Sequence, residues 1–202
     1  MNEQRISASQ IGLGTLGPVL TDFVRDFEAL LRTSKETEAH ERTLADRLFR
    51  LGSEVRKGKR LWAKSDVNAI IRWKKLQPLR RRIEQASTEP EKQLALALAQ
   101  PEDEDRLRIL CRIPGFGPVL ACAVLTLTWP ESYGILDNPS WRALGVLGFD
   151  LPPRPYSGGG FSVADALQYQ QILRIIGRAT SKPPVQVATA LSAFSRARNR
   201  TF

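Results

Sequence analysis

Apolar residues recur along this chain at the three- and four-residue spacing of amphipathic helices. The pattern is clearest near the N-terminus, in Leu16, Val19, Leu20, Phe23, Val24, Phe27, Leu30 and Leu31. It returns over residues 38–55, 65–76, 90–98, 103–112, 118–129, 139–145, 162–176 and 184–194. No segment alternates convincingly between apolar and polar residues as a strand does. The sequence therefore predicts an all-α protein built from many short helices.

Local signals predict where some of these helices begin. Ser65 and Asp66 have the side chains of a helix N-cap. Ser162, with Asp165 three positions later, resembles a capping box with a shorter acid. A basic helix is expected over residues 80–83, after a proline that ends or kinks the preceding helix.

The composition is that of a folded, strongly basic protein. Of the 202 residues, 42% are hydrophobic, so we expect one domain over residues 1–202 with its own core. Thirty Lys and Arg against 21 Asp and Glu give a net charge of +9, which points to a polyanionic partner. An acidic membrane surface is the competing partner, although no apolar run approaches the roughly 20 residues that span a bilayer. No signal sequence is recognisable, and we expect a cytoplasmic protein without membrane contact.

Few residues are available for metal or nucleophilic chemistry. Cys111 and Cys122 lie on apolar helical patterns and are interpreted as buried thiols. The single histidine, His40, lies in a charged helical stretch and is interpreted as a surface residue. One histidine excludes His-based metal sites and disfavours a Ser-His-Asp triad.

The most informative stretch of the chain is residues 110–144. Its segment 113–117, with the sequence IPGFG, is a tight glycine turn between two apolar helical patterns. Such a turn exposes consecutive backbone N–H groups at a helix N-terminus, where a DNA phosphate can bind. Asp137 follows, directly before a short helix with Pro139 in its first turn. A purely structural interpretation stays open, in which the turn only joins two helices and Asp137 only caps one.

In these features the chain resembles the helix-hairpin-helix DNA glycosylase superfamily, of the endonuclease III type. Asp137 follows Val119 by 18 positions, the spacing associated with the family's catalytic aspartate, and Arg142 lies at the family's arginine five positions later. The chain departs from the family at Asn138 and Pro139, where a Thr-His pair is typical.

The resemblance covers residues 110–144 and implies a fold for the whole chain. The helix-hairpin-helix motif would span residues 107–129, and the segment with the catalytic aspartate residues 130–145. The fold class expected is then an all-α, two-lobed helical bundle. The hairpin and Asp137 would face the cleft between its lobes.

The resemblance also implies a reaction, the hydrolysis of the bond between a base and its deoxyribose. Asp137 would stabilise the oxocarbenium-like transition state and orient or deprotonate the attacking water. Val119 stands where strand-cutting relatives carry a lysine that forms a Schiff base, so we expect a monofunctional enzyme. Lys64, Lys74 and Lys75 carry amines, but nothing in the sequence places one at the sugar.

The resemblance and the basic residues together suggest a binding surface for double-stranded DNA. The residues expected to contact phosphate are Gly115, Phe116, Gly117, Val119, Arg142, Lys59 and Arg60. The residues expected to form a base pocket are Trp73, Lys74 and Trp141. Some family members bind a monovalent cation through hairpin carbonyls, which here would belong to Cys111, Ile113 and Phe116. No cofactor is expected to be required, and an iron–sulfur cluster is excluded because no cysteine follows Cys122.

The leading hypothesis is therefore a monofunctional base-excision DNA glycosylase, a hydrolase of DNA repair that acts as a monomer on a modified or mismatched base. The first alternative is a non-catalytic helix-hairpin-helix DNA-binding protein. The second is a helical protein-interaction module whose basic surface is incidental.

Overall fold

A computed structural model describes residues 18–37, 42–74, 76, 90–152 and 160–198. The helix predicted over residues 80–83 and the residue His40 lie outside this part of the chain. The described residues form ten α-helices and no β-strand, which confirms the all-α prediction. The helices are α1 (Pro18–Arg25), α2 (Phe27–Thr37), α3 (Arg42–Arg56), α4 (Lys64–Trp73), α5 (Pro90–Leu98), α6 (Asp103–Arg112), α7 (Pro118–Thr128), α8 (Asn138–Val146), α9 (Val163–Thr180) and α10 (Pro184–Arg198).

The core is centred on α7, whose residues from Leu120 to Thr128 are all buried. Helices α3, α4, α6 and α9 pack around α7. Helix α10 packs against α2, α8 and α9. Because α9 contacts α6 and α7 as well as α10, it joins the two groups of helices.

Two details of the predicted helices are wrong. The amphipathic pattern at the N-terminus is divided between α1 and α2 by a turn at Asp26. Helix α4 begins at Lys64 with Ala63 as its N-cap, not at Ser65 or Asp66. Asp66 lies in the first turn instead, and its Oδ2 accepts a hydrogen bond from the Ala63 amide at 3.0 Å. Asp66 therefore caps the helix from its first turn, and its carboxylate also pairs with Arg60.

Other helix ends agree with the sequence. The capping box at α9 is confirmed: the Ser162 hydroxyl accepts from the Asp165 amide at 3.1 Å, and Asp165 Oδ2 accepts from the Ser162 amide at 2.7 Å. The short helix after Asp137 is confirmed as α8. Within the described part of the chain, none of the helices is both long and apolar enough to cross a bilayer.

Candidate active site around Asp137

The glycine turn over residues 113–117, called the hairpin, joins α6 and α7 as the sequence predicts. The Phe116 amide donates a hydrogen bond to the Ile113 carbonyl at 2.9 Å, which closes the turn. Gly115 has a φ of 85°, in the left-handed region that only glycine adopts at little cost. Gly117 is the N-cap of α7, and Pro118 takes its first helical position.

The N-terminus of α7 presents backbone donors without a side-chain cap. The amides of Val119 and Leu120 lie in the first turn, where a helix offers no carbonyl partner, and Gly117 makes no side-chain cap. No described atom lies within 4 Å of the position that a Cβ on Gly117 would take. Phe116 is 5% exposed, so its ring belongs to the core. An anion can therefore approach the backbone at Gly117 closely.

Asp137 caps α8 and is fixed by two serines. Its Oδ1 accepts hydrogen bonds from the Ser140 amide at 2.9 Å and the Ser140 hydroxyl at 2.7 Å. The Ser192 hydroxyl, on α10, lies 3.1 Å from Oδ1 and 3.2 Å from Oδ2. The Asp137 side chain remains 28% exposed. A carboxylate held in this way has a fixed position and one open side.

Tyr169 supports this arrangement from the core. Its hydroxyl lies 2.8 Å from the Ser140 hydroxyl oxygen and 2.9 Å from the Ile135 carbonyl oxygen. Burial, followed by the charge of Asp137, raises the pKa of Tyr169 well above its ordinary value. Tyr169 therefore stays a neutral donor beneath the carboxylate.

Lys74 is the cation closest to Asp137 among the described ion pairs. It follows α4 directly, its Nζ lies 4.0 Å from Asp137 Oδ2, and it lies 5.3 Å from the centre of the Trp73 ring. Of the three residues predicted for a base pocket, Lys74 thus lies beside the predicted catalytic residue, and Trp73 contacts Lys74.

Trp141, the third, lies in the core. It is 2% exposed, donates through Nε1 to the Pro152 carbonyl at 3.2 Å and stacks on Tyr169. Its ring offers no open face to a flipped base in this structure, so it supports the site from within. Arg142, the next residue on α8, is half-buried.

The predicted phosphate contacts at Lys59 and Arg60 lie away from the hairpin. Arg60 pairs with Asp66 and donates to the Leu61 carbonyl at 3.2 Å, so its guanidinium group fixes the loop before α4. The same loop is tied to the C-terminal end of α7, because Trp62 Nε1 donates to Thr128 Oγ1 at 3.1 Å. The hairpin is at the N-terminal end of α7. Eleven helical residues separate the two ends by about 16 Å.

An extended segment leads from the C-terminal end of α7 to Asp137. It begins at Tyr133, whose ring lies 6.1 Å from that of Trp129. At Gly134 both backbone groups bond to the Gln170 side chain at 2.8 Å, and Gln170 Nε2 also lies 3.4 Å from Cys122 Sγ, in the middle of α7. The segment therefore runs back along α7 toward the hairpin end, where Asp137 follows.

The path of α4 leads to the same end. This helix begins after Trp62, which is bonded near the C-terminal end of α7, and it packs against α7. It ends at Trp73, and Lys74 then meets Asp137. Lys74, Asp137 and the hairpin thus belong to one end of the molecule, and Lys59 and Arg60 to the other.

The described residues hold little for a metal. They contain no group of three or more His, Cys, Asp or Glu side chains suited to one. Both cysteines are free, and burial raises the pKa of Cys111 to about 11 and of Cys122 to about 12, so both stay protonated. The Ile113 carbonyl already accepts from Phe116. The monovalent cation at the carbonyls of Cys111, Ile113 and Phe116 stays a prediction.

The sequence did not predict the roles of Gln170 and Ser192 in this arrangement. Gln170 lies on α9 and Ser192 on α10. Both are outside residues 110–144, and no local pattern marks them. Comparison with known proteins adds nothing to the geometry: no family model, no curated protein and no solved structure matches this chain.

Proposed function

We propose that this protein is a monofunctional DNA glycosylase that hydrolyses the N-glycosidic bond of a modified or mismatched base in double-stranded DNA, as a monomer. The observation that carries the proposal is the Asp137 carboxylate. Neutral donors fix it, 28% of its side chain is exposed, and it lies at the end of α7 that bears the uncapped hairpin amides. The two-lobed helix-hairpin-helix description belongs to this proposal.

Asp137 would act on the sugar. Glycosidic cleavage develops positive charge at C1′ and the ring oxygen. A carboxylate fixed by hydrogen bonds needs no reorganisation to stabilise that charge, and it can orient the attacking water. Ser140 and Ser192 would keep Asp137 in place, as positioning residues.

The hairpin would hold the strand. The amides of Gly117 and Val119, which are half-buried residues at the N-terminus of α7, would bind a phosphate that the helix dipole favours. Arg142, on the helix that Asp137 caps, is the nearby cation predicted to add to this contact. Each phosphate neutralised steepens the fall of affinity with salt, so binding should weaken markedly as salt rises.

Lys74 and Trp73 would meet the extruded nucleotide. Trp73 is half-buried and carries the Lys74 ammonium over its ring, so the pair offers an aromatic surface and a cation beside Asp137. A base flipped from the helix is read by stacking and by polar contacts of this kind. Val119 supplies no amine, and the Lys74 ammonium is paired with Asp137, so a single hydrolytic step is proposed.

The experiment uses duplex DNA with a cationic pyrrolidine nucleotide, a mimic of the oxocarbenium sugar. Its affinity is compared with that of unmodified duplex at fixed salt. The wild type should prefer the mimic by about a hundredfold, and Asp137→Asn should lose that preference but still bind unmodified duplex. Asp165→Asn is the matched control, because it makes the same change at the N-terminus of α9. It should keep the preference.

A specific observation favours a second candidate, a DNA-binding protein without turnover. Both oxygens of Asp137 lie within hydrogen-bond distance of the Ser192 hydroxyl, and Lys74 faces one of them, as in a purely structural cap. Equal affinity for both duplexes, unchanged in Asp137→Asn, would select this candidate. Binding with little salt dependence would instead reject DNA as the partner and favour a protein-interaction module.

A further inference from the structure

A second polar site lies at the opposite end of the α6–α7 pair. It is a solvent-open cleft of about 390 Å³, lined by Asp103, Arg106, Trp129, Ser132, Tyr133 and Arg174. Asp103 begins α6 and Trp129 follows α7, whereas the hairpin joins the other ends of these two helices. The cleft is therefore separate from the Asp137 site.

One carboxylate in the cleft is matched by two guanidinium groups. Arg174 Nη2 lies 2.6 Å from Asp103 Oδ2, and Arg106 Nη1 lies 3.3 Å from Asp103 Oδ1. The Tyr133 hydroxyl donates to the same oxygen. Burial opposes the charge on Asp103, but the hydrogen bonds from Tyr133 and Arg174 outweigh it and lower the pKa of that carboxyl. Asp103 is thus ionised at neutral pH, and Asp103, Arg106 and Arg174 together carry a net charge of +1.

Both guanidinium groups lie over aromatic rings. The Arg106 guanidinium carbon lies 4.9 Å from the centre of the Trp129 ring, and that of Arg174 lies 5.4 Å from the Tyr133 ring. A cation over the face of a ring is attracted to it, and a guanidinium group placed there can still donate hydrogen bonds from its edge. The rings are covered by cations, so the cleft presents guanidinium groups rather than bare aromatic faces.

Arg106 is kept in this position at a cost. Its Nε is buried, and no described residue accepts a hydrogen bond from it. A buried donor without an acceptor destabilises a fold. The ion pair with Asp103 and the contact with Trp129 hold Arg106 in the cleft despite this cost.

The surroundings of the cleft carry charges of both signs. Arg56, at the end of α3, lies 4.0 Å from Glu131, which precedes the cleft residue Ser132. The exposed Lys57 and Lys59 follow Arg56 in the same loop. Glu104 and Asp105, in the first turn of α6 beside Asp103, add negative charge, so the positive charge offered to an anion is that of Arg106 and Arg174 themselves.

We propose that this cleft is a phosphate-binding site, in which Arg174 and Arg106 bind the oxygens of one phosphate group and Asp103 keeps the two guanidinium groups in place. Guanidinium groups match phosphate oxygens in charge and geometry. The phosphate is either free or the terminal phosphate of a nucleic-acid strand. The site does not depend on Asp137 or on the glycosylase proposal.

The experiment titrates the full-length protein with two probes at fixed ionic strength. The first is inorganic phosphate, followed by calorimetry. The second is a ten-nucleotide single strand with a 5′-phosphate, compared with the same strand ending in a 5′-hydroxyl. Contacts of the strand with other parts of the protein are the same for both, so the difference in affinity reports the 5′-phosphate alone. Arg174→Gln should weaken phosphate-dependent binding about tenfold, and Arg174→Lys, which keeps the charge, should weaken it less. Arg108→Gln is the matched control, an exposed arginine of α6 that pairs with Glu104 outside the cleft.

The two probes separate the two sources of phosphate. A preference for the 5′-phosphate strand that Arg174→Gln removes means that a strand end is the ligand. If inorganic phosphate binds in a way that depends on Arg174, and the strand shows no such preference, the ligand is the free phosphate ion. Either result should persist in Asp137→Asn. The proposal is overturned if neither probe binds in a way that depends on Arg174, or if Arg108→Gln weakens binding equally.

Discussion

Asp137 and Asp103 lie at opposite ends of α7 and are fixed in different ways. Asp137 accepts hydrogen bonds from an amide and two hydroxyl groups, and its closest lysine is 4.0 Å away. Asp103 is bonded by two guanidinium groups and a phenol. Both carboxylates are part-buried and both lie at the N-terminus of a helix.

The difference decides what each carboxylate can stabilise. Neutral donors orient Asp137, and the one cation beside it, Lys74, lies 4.0 Å away, so less of its negative charge is compensated than at Asp103. Asp103 is flanked by two cations, Arg106 and Arg174, so this group of three side chains carries net positive charge. The same residue type thus suits a developing cation at one end and an anion at the other.

The largest effect is expected at Gly134, in the segment that leads from the cleft residue Tyr133 to Asp137. A Cβ there would lie 2.3 Å from Leu173 Cδ1 and 2.7 Å from the Pro184 carbonyl oxygen. Because the second contact is backbone, Gly134→Ala forces α10 away and should lower the free energy of unfolding by about 3 kcal/mol. Chemical denaturation measures this loss.

The matched control is Gly145→Ala in α8, where no described atom lies within 4 Å of the added Cβ. Alanine favours the helix, so this variant should be unchanged or more stable by up to about 1 kcal/mol. If Gly134→Ala were equally well tolerated, the segment from Tyr133 to Asp137 would not be held as tightly as its contacts indicate.

The second effect compares one substitution at both ends. Asp103→Asn leaves two guanidinium groups without their carboxylate and should cost about 2 kcal/mol of stability. Asp137→Asn keeps a capping oxygen for the Ser140 amide and should cost less than about 1 kcal/mol. Denaturation of the two variants in parallel checks the order. A reversed order would mean that Asp137 is chiefly structural.

The fold was predictable where local signals act. Pro118 and Pro184 begin helices because their fixed φ suits a first turn, and Ser162 with Asp165 forms the expected capping box. The start of α4 was not predictable in this way, because Asp66 acts from within the helix while Arg60 pairs with it.

The site was predictable only in part. Asp137 and the glycine turn follow from residues close together in the chain. The contacts of Asp137 with Ser192 and Lys74, and of Gly134 with Gln170, join residues more than 35 positions apart. They depend on how helices pack, which periodicity does not specify. The Asp103 cleft was missed for the same reason, because three separate segments form it.

The third effect concerns the hairpin, through Gly117→Ser. A serine at the N-cap supplies an oxygen for the Leu120 amide, so stability should rise by a few tenths of a kcal/mol. The same oxygen occupies the donors proposed for phosphate, so the affinity for duplex DNA should fall about tenfold. Thermal unfolding and duplex titration at one salt concentration measure the two changes. If stability rose while the affinity for DNA stayed constant, the proposed contact between the hairpin and a phosphate would be wrong.

The smallest effect is expected from alkaline pH at the Asp103 end. Burial, and the hydrogen bond to Asp103, raise the pKa of Tyr133 to about 12. A raised folded-state pKa gives stability that is fully present below the ordinary value near 10 and is lost as pH rises through about 12. Between pH 9 and pH 11 the loss should be on the order of 1 kcal/mol, because pH 11 lies only about one unit above the ordinary pKa. Denaturation at pH 9 and pH 11 should show a smaller difference for Tyr133→Phe than for the wild type. An equal difference in both would mean that Tyr133 ionises as freely in the folded chain as in the unfolded one, and the cation-rich network at this end would be looser than its distances indicate.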